Sequence, residues 1–491
     1  MNYNGRIGVL YFVIQSNRKV CRNRKNKILL PHYMDKPNSK MHVNEFVALG
    51  IFVIVFFLIM ERRRFNNIPI WTSMLIGAAL MVGLQIISIE DAFKAINLDV
   101  IMFLFGMFSI VSALDRSGVL KFVAVKMLSK TGNHPNSILL VFIVGFGVIS
   151  AFLVNDTIAL LGIPLVIHIS RQISIRPSVL FIALAFGISV GSVMTPIGNP
   201  QNLLIAIKSD IPLPFLTFVK WMFIPTIINL FLTYFILKVY FKGELSIVPH
   251  IQLQNGKKVM DNETNDEQLL STNVITNPRL AKISVIILLF TIGGFIISEL
   301  LQFLLHVVYF SISVIAVLGA TALYAFSRER RELLYKVNYS VLVFFAAMFV
   351  FTSALWNSGL IHEILTQIPS PVANHNNYDV IRNNAIISTV SVILSQILSN
   401  VPFVALYNNV LINNGFNADD VSQWIMLAAA STIAGNLTIF GAASNIIIIE
   451  AAESRGVKAF SFFEFLKIGS VVTASNLIIY YLFTTFIFGR A

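Results

Sequence analysis

Long apolar runs, separated by short polar connections, occupy most of the chain after residue 44. A helix of ~20 residues is long enough to cross the ~30 Å hydrocarbon core of a bilayer. We therefore predict membrane-spanning helices over the longest apolar runs, which are 45–60, 70–87, 98–114, 215–241, 280–300, 303–326, 338–356 and 462–488. Between some of these runs lie apolar stretches interrupted by Asn, Ser, Gly and Pro. The pattern predicts an all-α polytopic membrane protein.

The composition supports the same class of protein. Of the 491 residues, 56% are hydrophobic and only 12% are charged, whereas soluble proteins carry roughly 25% charged residues. The net charge of +12 is what cytoplasmic loops rich in Lys and Arg produce, so no nucleic-acid partner is predicted. We expect a multi-pass integral protein of the cell (plasma) membrane, with the lipid bilayer as its surrounding partner.

The two halves of the chain resemble each other on either side of a polar segment, 242–279, which we predict to be a cytoplasmic linker. Three pairs of stretches match at offsets of 241 to 245 positions: MFSIVSALDRSGVL (107–120) with MFVFTSALWNSGLI (348–361), LVNDTIALLGIPL (153–165) with LSNVPFVALYNNVL (398–411), and TPIGNPQN (195–202) with TIFGAASN (438–445). Matches at a nearly constant offset indicate an internal duplication. We predict repeat 1 over 45–241 and repeat 2 over 280–491.

Each repeat is predicted to contain five spans, together with a re-entrant hairpin and a broken helix. An odd number of spans inverts the second repeat relative to the first, as in many secondary transporters. With residue 45 outside, the predicted inner loops carry 22 Lys and Arg, and the outer segments carry 5. Positive charges favour the cytoplasmic side, so this orientation is predicted, with the two hairpins entering from opposite faces.

The basic segment 1–44 does not fit this orientation, because it carries 9 Lys and Arg and would lie outside. Two explanations are open. Translation begins at Met34 or Met41, which is the hypothesis we favour, or the segment stays inside and the first span is re-entrant. An intact mass of the native protein that includes Met1 would exclude the late start.

Four polar interruptions fall in apolar sequence, two in each predicted repeat. A helix broken within a membrane exposes N–H groups that attract anions and carbonyl groups that attract cations. Such a break is tolerated only where it is buried in protein or lines a wet cavity. One break alone is commonly a kink or a packing contact, but four that are paired by symmetry predict a small-ion site near the midplane. The candidate ligands are Asn155, Asp156, Thr157, Thr195, Pro196, Gly198, Asn199, Pro200, Asn202, Ser399, Asn400, Gly435, Asn436, Thr438, Gly441, Ser444 and Asn445.

Asp156 lies at the tip of the first predicted hairpin, in FLVNDTIALLG, with no basic residue within ten positions. Ionisable residues inside a membrane are usually functional, so Asp156 is a candidate proton carrier or a ligand for a coupling cation. The alternative is a cap for the helix that follows. Glu450 follows Asn445 by five residues and is either at the inner mouth of the site or an ordinary interfacial charge.

The common motifs for ATP hydrolysis and for resident metals do not occur. The sequence has no G-x-x-x-x-G-K-[ST] phosphate loop, no H-E-x-x-H and, with the single Cys21, no paired-cysteine metal site or intrachain disulfide. We predict that the protein is not an enzyme and holds no cofactor and no resident metal. Transport would then run on a gradient of protons or sodium ions, or on a separate ATPase partner.

These motifs resemble those of the ion transporter superfamily, which includes arsenite permeases, divalent anion/sodium symporters, citrate transporters and one class of sodium/proton antiporters. The resemblance covers about residues 45–488 and rests on FLVNDTIALLGIP, TPIGNPQNLLIA, LSNVPFVAL and AGNLTIFGAASN followed by AAESRG. It implies two inverted repeats with re-entrant hairpins, a transport domain that moves past a scaffold, and a homodimer. It also implies a coupling sodium ion at Asn155, Gly198, Asn400 and Gly441.

The hairpin tips narrow the predicted substrate. Dicarboxylate transporters of this superfamily carry Ser-Asn-Thr at both tips, whereas this chain has N-D-T at 155–157 and S-N-V-P at 399–402. An ionised Asp156 would repel a dianion, so we predict a secondary transporter for a small inorganic anion or an arsenite-like solute, coupled to protons or sodium by alternating access. A sodium-coupled di- or tricarboxylate symporter and a sodium/proton antiporter are the alternatives. A channel is less favoured, because hairpins entering from opposite faces would close a continuous pore.

Overall fold

The computed structural model describes residues 39–60, 68–132, 134–246, 274–305, 310–361, 370–373 and 377–488. Over these residues the regular structure is helical, which confirms the predicted all-α class. In the first half the helices are α1 Ser39–Met60, α2 Ile70–Gly83, α3 Ile89–Ala95, α4 Leu98–Arg116, α5 Val119–Ser129, α6 Pro135–Ser150, α7 Asn155–Gln172, α8 Pro177–Ser192, α9 Pro200–Lys208 and α10 Pro214–Tyr240. In the second half they are α11 Pro278–Leu305, α12 Ile312–Phe326, α13 Arg330–Tyr335, α14 Tyr339–Asn357, α15 Asn377–Leu398, α16 Asn400–Asn413, α17 Val421–Ala434, α18 Ala443–Glu453 and α19 Phe462–Ile487.

Six of the described helices are both long enough and apolar enough to cross a membrane. They are α4, α10, α11, α14, α15 and α19. Shorter apolar helices, among them α2, α6, α8, α12 and α17, accompany them. The prediction of a polytopic membrane protein is confirmed, while the five spans per half, the repeat boundaries and the inversion of the second half stay predictions.

Some helix ends depart from the predicted apolar runs, because capping side chains set them. The runs 280–300 and 303–326 are predicted as separate spans, but α11 continues to Leu305 and α12 begins at Ile312. Ser311 sets this start, since its side-chain oxygen accepts a hydrogen bond from the N–H of Val314 at 3.4 Å. The predicted boundary between the two spans is therefore wrong by several residues.

Two helical hairpins reverse direction at polar interruptions of the sequence. The first is made by α6 and α7, which are joined by residues 151–154. The second is made by α15 and α16, which are separated by Ser399 alone. Its φ of +66° lies in the left-handed region that L-residues seldom adopt, and this conformation makes the sharp reversal. The other two interruptions separate α8 from α9 and α17 from α18, so each of these pairs is one broken helix.

Helices of the two halves pack against each other. The pairs are α4 with α12, α2 with α14, and α10 with α19. At the interruptions, α9 contacts α16 of the second hairpin, and α18 contacts α7 of the first hairpin. Each broken helix therefore supports the hairpin of the other half.

Two predicted segments lie largely outside the described residues. The basic segment 1–44 is described only from Ser39, where α1 begins. Of the linker 242–279, the structure describes one helical turn, Lys242–Leu245, and the residues from 274 onward.

Candidate functional site

A cavity of about 450 Å³ lies where the two hairpin tips meet the two broken helices. We call it the main cavity. Four helices begin at its wall, namely α7, α9, α16 and α18. Trp71 of α2 and Phe344 and Phe345 of α14 form part of its apolar wall. Its polar and charged lining residues are Asn155, Asp156, Ser189, Gln201, Asn338, Ser340, Ser399, Asn400, Thr432, Ser444, Glu450 and Ser454.

The four helix beginnings give the main cavity a partial positive charge. The first N–H groups of a helix have no carbonyl partner within it, and the aligned peptide dipoles add to their effect. Each of these four helices is at least two turns long, from the 9 residues of α9 to the 18 of α7. Their convergence makes the cavity attractive to anions and to the oxygen atoms of neutral oxyacids.

Two carboxyl groups oppose this positive potential. Asp156 lies in the first turn of α7 with only 9% of its surface exposed, and Glu450 lies on α18, half-buried. Among the residues that the structure describes, none of those lining the cavity is Lys, Arg or His. Any positive charge in the site therefore comes from helix ends or from a bound cation.

In the first broken helix, two asparagines hold the backbone of the break together. The amide nitrogen of Asn202 donates to the carbonyls of Ser192, Val193 and Thr195 at 3.3, 3.3 and 3.1 Å. The side-chain oxygen of Asn199 accepts a hydrogen bond from the N–H of Asn202 at 2.9 Å and so caps α9. Both residues lie in the predicted motif, and both are occupied by the protein's own backbone.

Thr432 of α17 connects the second broken helix to the first. Its hydroxyl accepts hydrogen bonds from Gln201 at 3.2 Å and from Asn199 at 3.4 Å, and donates to the side-chain oxygen of Asn202 at 3.3 Å. The backbone carbonyl of Thr432 accepts a further hydrogen bond from the hydroxyl of Ser189 at 3.3 Å. One side chain therefore joins the loop of the first half to the helix of the second.

In the second broken helix, side-chain donors again bind the backbone carbonyls at the break, but different residues provide them. The amide nitrogen of Asn445 donates to the carbonyl of Gly435 at 2.7 Å and to that of Thr438 at 3.4 Å. Gln396 of α15 donates to the carbonyl of Ala434 at 2.9 Å and accepts from the hydroxyl of Thr438 at 2.8 Å. The carbonyls at the end of α17 thus find side-chain donors, as those at the end of α8 do.

The second loop differs from the first in its unpaired oxygen atoms. The side-chain oxygens of Asn400, Asn436, Ser444 and Asn445 are buried and have no hydrogen-bond partner among the described residues. In the first hairpin, by contrast, the oxygen of Asn155 accepts a hydrogen bond from the N–H of Asp156 at 2.9 Å. Buried unpaired oxygens cost free energy unless a ligand pairs with them, so each of these atoms is available to a cation or a hydrogen-bond donor.

The structure brings only part of the predicted site to the main cavity. The predicted residues that line it are Asn155, Asp156, Pro200, Ser399, Asn400 and Ser444. Thr157 instead lines a separate cavity of about 660 Å³. The others lie at or next to the two helix breaks, behind the lining: Thr195, Pro196, Gly198, Asn199, Asn202, Gly435, Asn436, Thr438, Gly441 and Asn445.

Two of these loop residues hold the first hairpin tip in place. The carbonyl of Gly198 accepts a hydrogen bond from the N–H of Asn155 at 3.0 Å, and the hydroxyl of Thr195 donates to the carbonyl of Ala151. A Cβ atom at residue 198 would lie 2.4 Å from the carbonyl oxygen of Ser192, so only glycine fits there. These loop positions support the lining residues rather than facing the cavity.

Sequence analysis did not single out six of the polar lining residues, which are Ser189, Gln201, Asn338, Ser340, Thr432 and Ser454. Gln201 lies inside the GNPQN stretch, where Asn202 drew attention because it matches Asn445 in the second half. Ser189 and Thr432 lie within α8 and α17, a few residues before each break. A search for polar residues within one helical turn before each break would have found both.

An all-helical membrane fold and a polar cavity built on broken helices define a multi-pass membrane transporter. The chain belongs to the citrate transporter (CitMHS) family, whose sequence model matches residues 55–425. This confirms the resemblance to the ion transporter superfamily and the prediction of a multi-pass membrane protein.

Similar proteins occur in organisms as different from each other as a mycobacterium and rice. A 46 kDa membrane protein of Mycobacterium leprae (strain TN) is 27% identical over 442 residues, covering 88% of this chain and 96% of that protein. The silicon efflux transporter LSI3 of Oryza sativa subsp. japonica is 26% identical over 457 residues, covering 83% of this chain and 89% of that protein. Among solved structures, the Alcanivorax borkumensis YdaH transporter has a TM-score of 0.44 and 12% identity, covering 91% of this chain and 98% of that chain.

Proposed function

We propose that this protein is a secondary active transporter for a small, weakly acidic inorganic solute, carried by alternating access. The observation that carries the proposal is the main cavity, where four helix N-termini meet two carboxyl groups. Backbone N–H groups at helix N-termini bind the oxygen atoms of phosphate-like solutes. The solute that we infer is therefore an oxyacid or its anion.

The charge balance of the main cavity limits the charge of that solute. Each helix N-terminus carries about half a positive charge, so four together contribute roughly two. Ionised Asp156 and Glu450 would offset nearly all of it. A trianion such as citrate would then find no surplus positive charge. A neutral oxyacid, or a monoanion that enters with a proton, is the better electrostatic match.

The names of the similar proteins support an uncharged oxyacid as the solute, but they also support a second candidate. The rice protein is named a silicon efflux transporter, and dissolved silicon near neutral pH is an uncharged oxyacid. The family is named for citrate, so a sodium-coupled di- or tricarboxylate symporter is the second candidate. A sodium/proton antiporter would use Asp156 but would leave the four helix N-termini without a role.

Coupling to an ion gradient has two candidate places. Asp156 could carry a proton, because it is a buried carboxyl group with no basic residue beside it in the lining. The unpaired oxygens of Asn400, Asn436, Ser444 and Asn445 could hold a sodium ion, because hard cations bind oxygen ligands. The first place lies on the first hairpin, and the second lies on the second hairpin and the second broken helix, so substitutions can separate proton coupling from sodium coupling.

The moving parts are inferred from which helices line the main cavity. One wall belongs to α2 and α14, which pack on each other, and the rest belongs to the hairpins and broken helices. We propose that the second group moves past the first during transport. The homodimer implied by the family resemblance is a separate proposal, which light scattering of the detergent-solubilised protein would test.

The test is uptake into proteoliposomes under an imposed proton or sodium gradient. The solutes are arsenite, silicic acid, phosphate, sulfate, succinate and citrate. The variants are Asp156→Asn and Ser444→Ala, with Thr157→Val as the matched control, because Thr157 adjoins Asp156 but lines a different cavity.

We expect a proton gradient to drive one inorganic solute, with Asp156→Asn abolishing gradient-driven uptake but keeping solute exchange. Thr157→Val should transport as the wild type does. The alternative result is that a sodium gradient drives uptake and that Ser444→Ala raises the sodium concentration required for half-maximal uptake. That result would place the coupling site at the second broken helix. Sodium-driven uptake of citrate or succinate that is unchanged in Asp156→Asn would contradict the proposed solute.

A further inference from the structure

A second cavity lies on the same helices as the main cavity but further along them. It has a volume of about 220 Å³, and we call it the lysine cleft. Its polar lining residues are Lys94, Asn97, Lys208, Thr352, Ser353, Asn408 and Asn409. None of the described residues that line it is acidic. Its electrostatic character is therefore opposite to that of the main cavity, which contains two carboxyl groups and no lining cation.

The position of the lysine cleft follows from three shared helices. On α14 the main cavity contacts residues 340–345 and the cleft contacts residues 349–356. The first contacts differ by about nine residues, or ~14 Å along the helix axis. On α9 and α16 the cleft is likewise displaced toward the helix C-terminus. The two cavities therefore lie at different heights along these three helices.

A buried apolar layer separates the two cavities on each of these helices. On α9 it contains Leu203, on α14 Met348, and on α16 Phe403 and Val404, all of them 1% exposed or less. A solute cannot pass this layer without rearrangement, because protein interiors are close-packed. The lysine cleft is thus a separate compartment in this conformation.

Asn408 supplies the observation that points to a ligand. Its side chain is 1% exposed and lines the cleft, yet neither its oxygen nor its nitrogen has a hydrogen-bond partner among the described residues. A buried amide with both ends unpaired is costly, and a bound acceptor or donor removes that cost. The amide nitrogen of Asn408 can donate to an oxyanion that the two ammonium groups attract.

The two lysines reach the cleft from different parts of the fold. Lys94 lies in the last turn of α3 and also bonds to Glu90 at 2.6 Å. Lys208 is the last residue of α9 and forms no ion pair with the described residues. Lysines behave as compact point charges that bind oxyanions without a fixed geometry.

We propose that the lysine cleft is a second binding site, selective for a tetrahedral inorganic oxyanion such as phosphate or sulfate. Lys208 and Lys94 supply the charge, and Asn408 supplies a buried donor. The site captures the ionised form of a solute on the far side of the apolar layer, whereas the main cavity favours a neutral or singly charged form. Binding at the cleft requires no ion gradient, so it stands or falls separately from the transport mechanism.

The test is anion binding to the purified full-length chain in detergent, in a buffer of low ionic strength. Trp356 lines the cleft, so its fluorescence reports on titrations with sulfate and phosphate. Trp356→Phe identifies that signal among the 4 tryptophans of the chain. The binding variants are Lys208→Gln and Asn408→Leu, and Lys220→Gln is the matched control, an exposed lysine on α10 that does not line the cleft.

We expect saturable binding that Lys208→Gln weakens by about tenfold, since a charged hydrogen bond is lost. Asn408→Leu should weaken binding without lowering the melting temperature, and Lys220→Gln should bind as the wild type does. Calorimetric titration with sulfate replaces fluorescence if Trp356 gives no signal. Wild-type affinity in both Lys208→Gln and Asn408→Leu, or no saturable binding by calorimetry, would overturn the proposal.

Discussion

Glu299 shows how a single buried charge can serve the fold rather than transport. Its side chain is 0% exposed on α11, and its two carboxylate oxygens accept hydrogen bonds from the N–H groups of Phe215 at 2.7 Å and Leu216 at 3.0 Å. These two residues lie in the first turn of α10, where N–H groups have no partner within the helix. Glu299 therefore caps a helix whose bonded residues lie 83 and 84 positions earlier in the sequence.

Glu299→Leu is expected to destabilise the protein by roughly 1–3 kcal/mol, because two buried N–H groups lose their acceptor. Glu299→Gln should cost less, since one side-chain oxygen remains. Thermal unfolding in detergent, followed by tryptophan fluorescence, measures both. Glu90→Gln, which removes an exposed carboxylate, is the control and should melt near the wild type. Equal melting of Glu299→Leu and wild type would mean that water replaces the carboxylate.

At this scale the sequence could locate candidates but could not assign their roles. Asp156 stood out because it is a carboxyl group in apolar sequence, and it does line the main cavity. Asn202 and Asn408 are chemically identical, yet the first holds three carbonyls and the second has no partner. Partners of this kind come from distant segments, so only the fold distinguishes a structural asparagine from one that is available to a ligand.

Helices α6 and α8 approach each other closely because glycine lines their contact. A Cβ atom at Gly191 would lie 2.0 Å from the carbonyl oxygen of Gly147, and one at Gly187 would lie 2.7 Å from backbone atoms of Ile143. This contact joins the first hairpin to the first broken helix. Small residues at such crossings let helix backbones pack closely in membranes.

Gly191→Ala is expected to destabilise the protein by about 1–3 kcal/mol, because a methyl group would overlap the backbone of α6. Gly293→Ala is the matched control, since no atom lies within 4 Å of its added Cβ position. Thermal unfolding and solute uptake should both be measured. If Gly191→Ala and Gly293→Ala have the same melting temperature and the same uptake, the close approach of α6 and α8 does not contribute measurably to stability.

The elements themselves were largely predictable, and their partners were not. The predicted interruptions contain the first residues of α7, α9 and α16, which are Asn155, Pro200 and Asn400. Loss of apolar periodicity and the presence of Asn and Pro are local signals, so they mark helix ends well. The packing of α9 on α16 is a contact between segments about 200 residues apart, and a single sequence carries no signal for it.

Across the whole molecule, an ionic cluster ties the first half, the linker and the second half together. Arg116, the last residue of α4, bonds to Glu329 at 2.5 Å and also to Glu332. Asn277, just before α11, donates to Glu329 at 2.5 Å. The hydrogen bond from Arg116 holds the pKa of Glu329 below its ordinary value of 4.5.

This cluster predicts a loss of stability on acidification. Because the pKa of Glu329 is lower in the folded state, its contribution is fully present above pH 4.5 and is lost as pH falls through the folded value. We expect Arg116→Gln to melt below the wild type at neutral pH, with the difference shrinking once Glu329 is protonated. Melting temperatures measured over a pH series test this, with Lys220→Gln, which removes an exposed basic residue, as the control. A difference that stays constant with pH would mean that Arg116 acts through packing alone.

Each broken helix packs against the hairpin of the other half, and this packing has a consequence for how the protein is made. The main cavity needs α9 against α16 and α18 against α7, so its walls join residues that leave the ribosome far apart in time. Contacts of such long sequence separation form slowly, because the chain between them must first be ordered. During synthesis the first hairpin is therefore complete before α18 has been made, and its polar tip is incompletely covered at that stage. The binding site is therefore among the last parts of the molecule to form. We expect substitutions in the final helices to impair assembly of the protein before they impair transport.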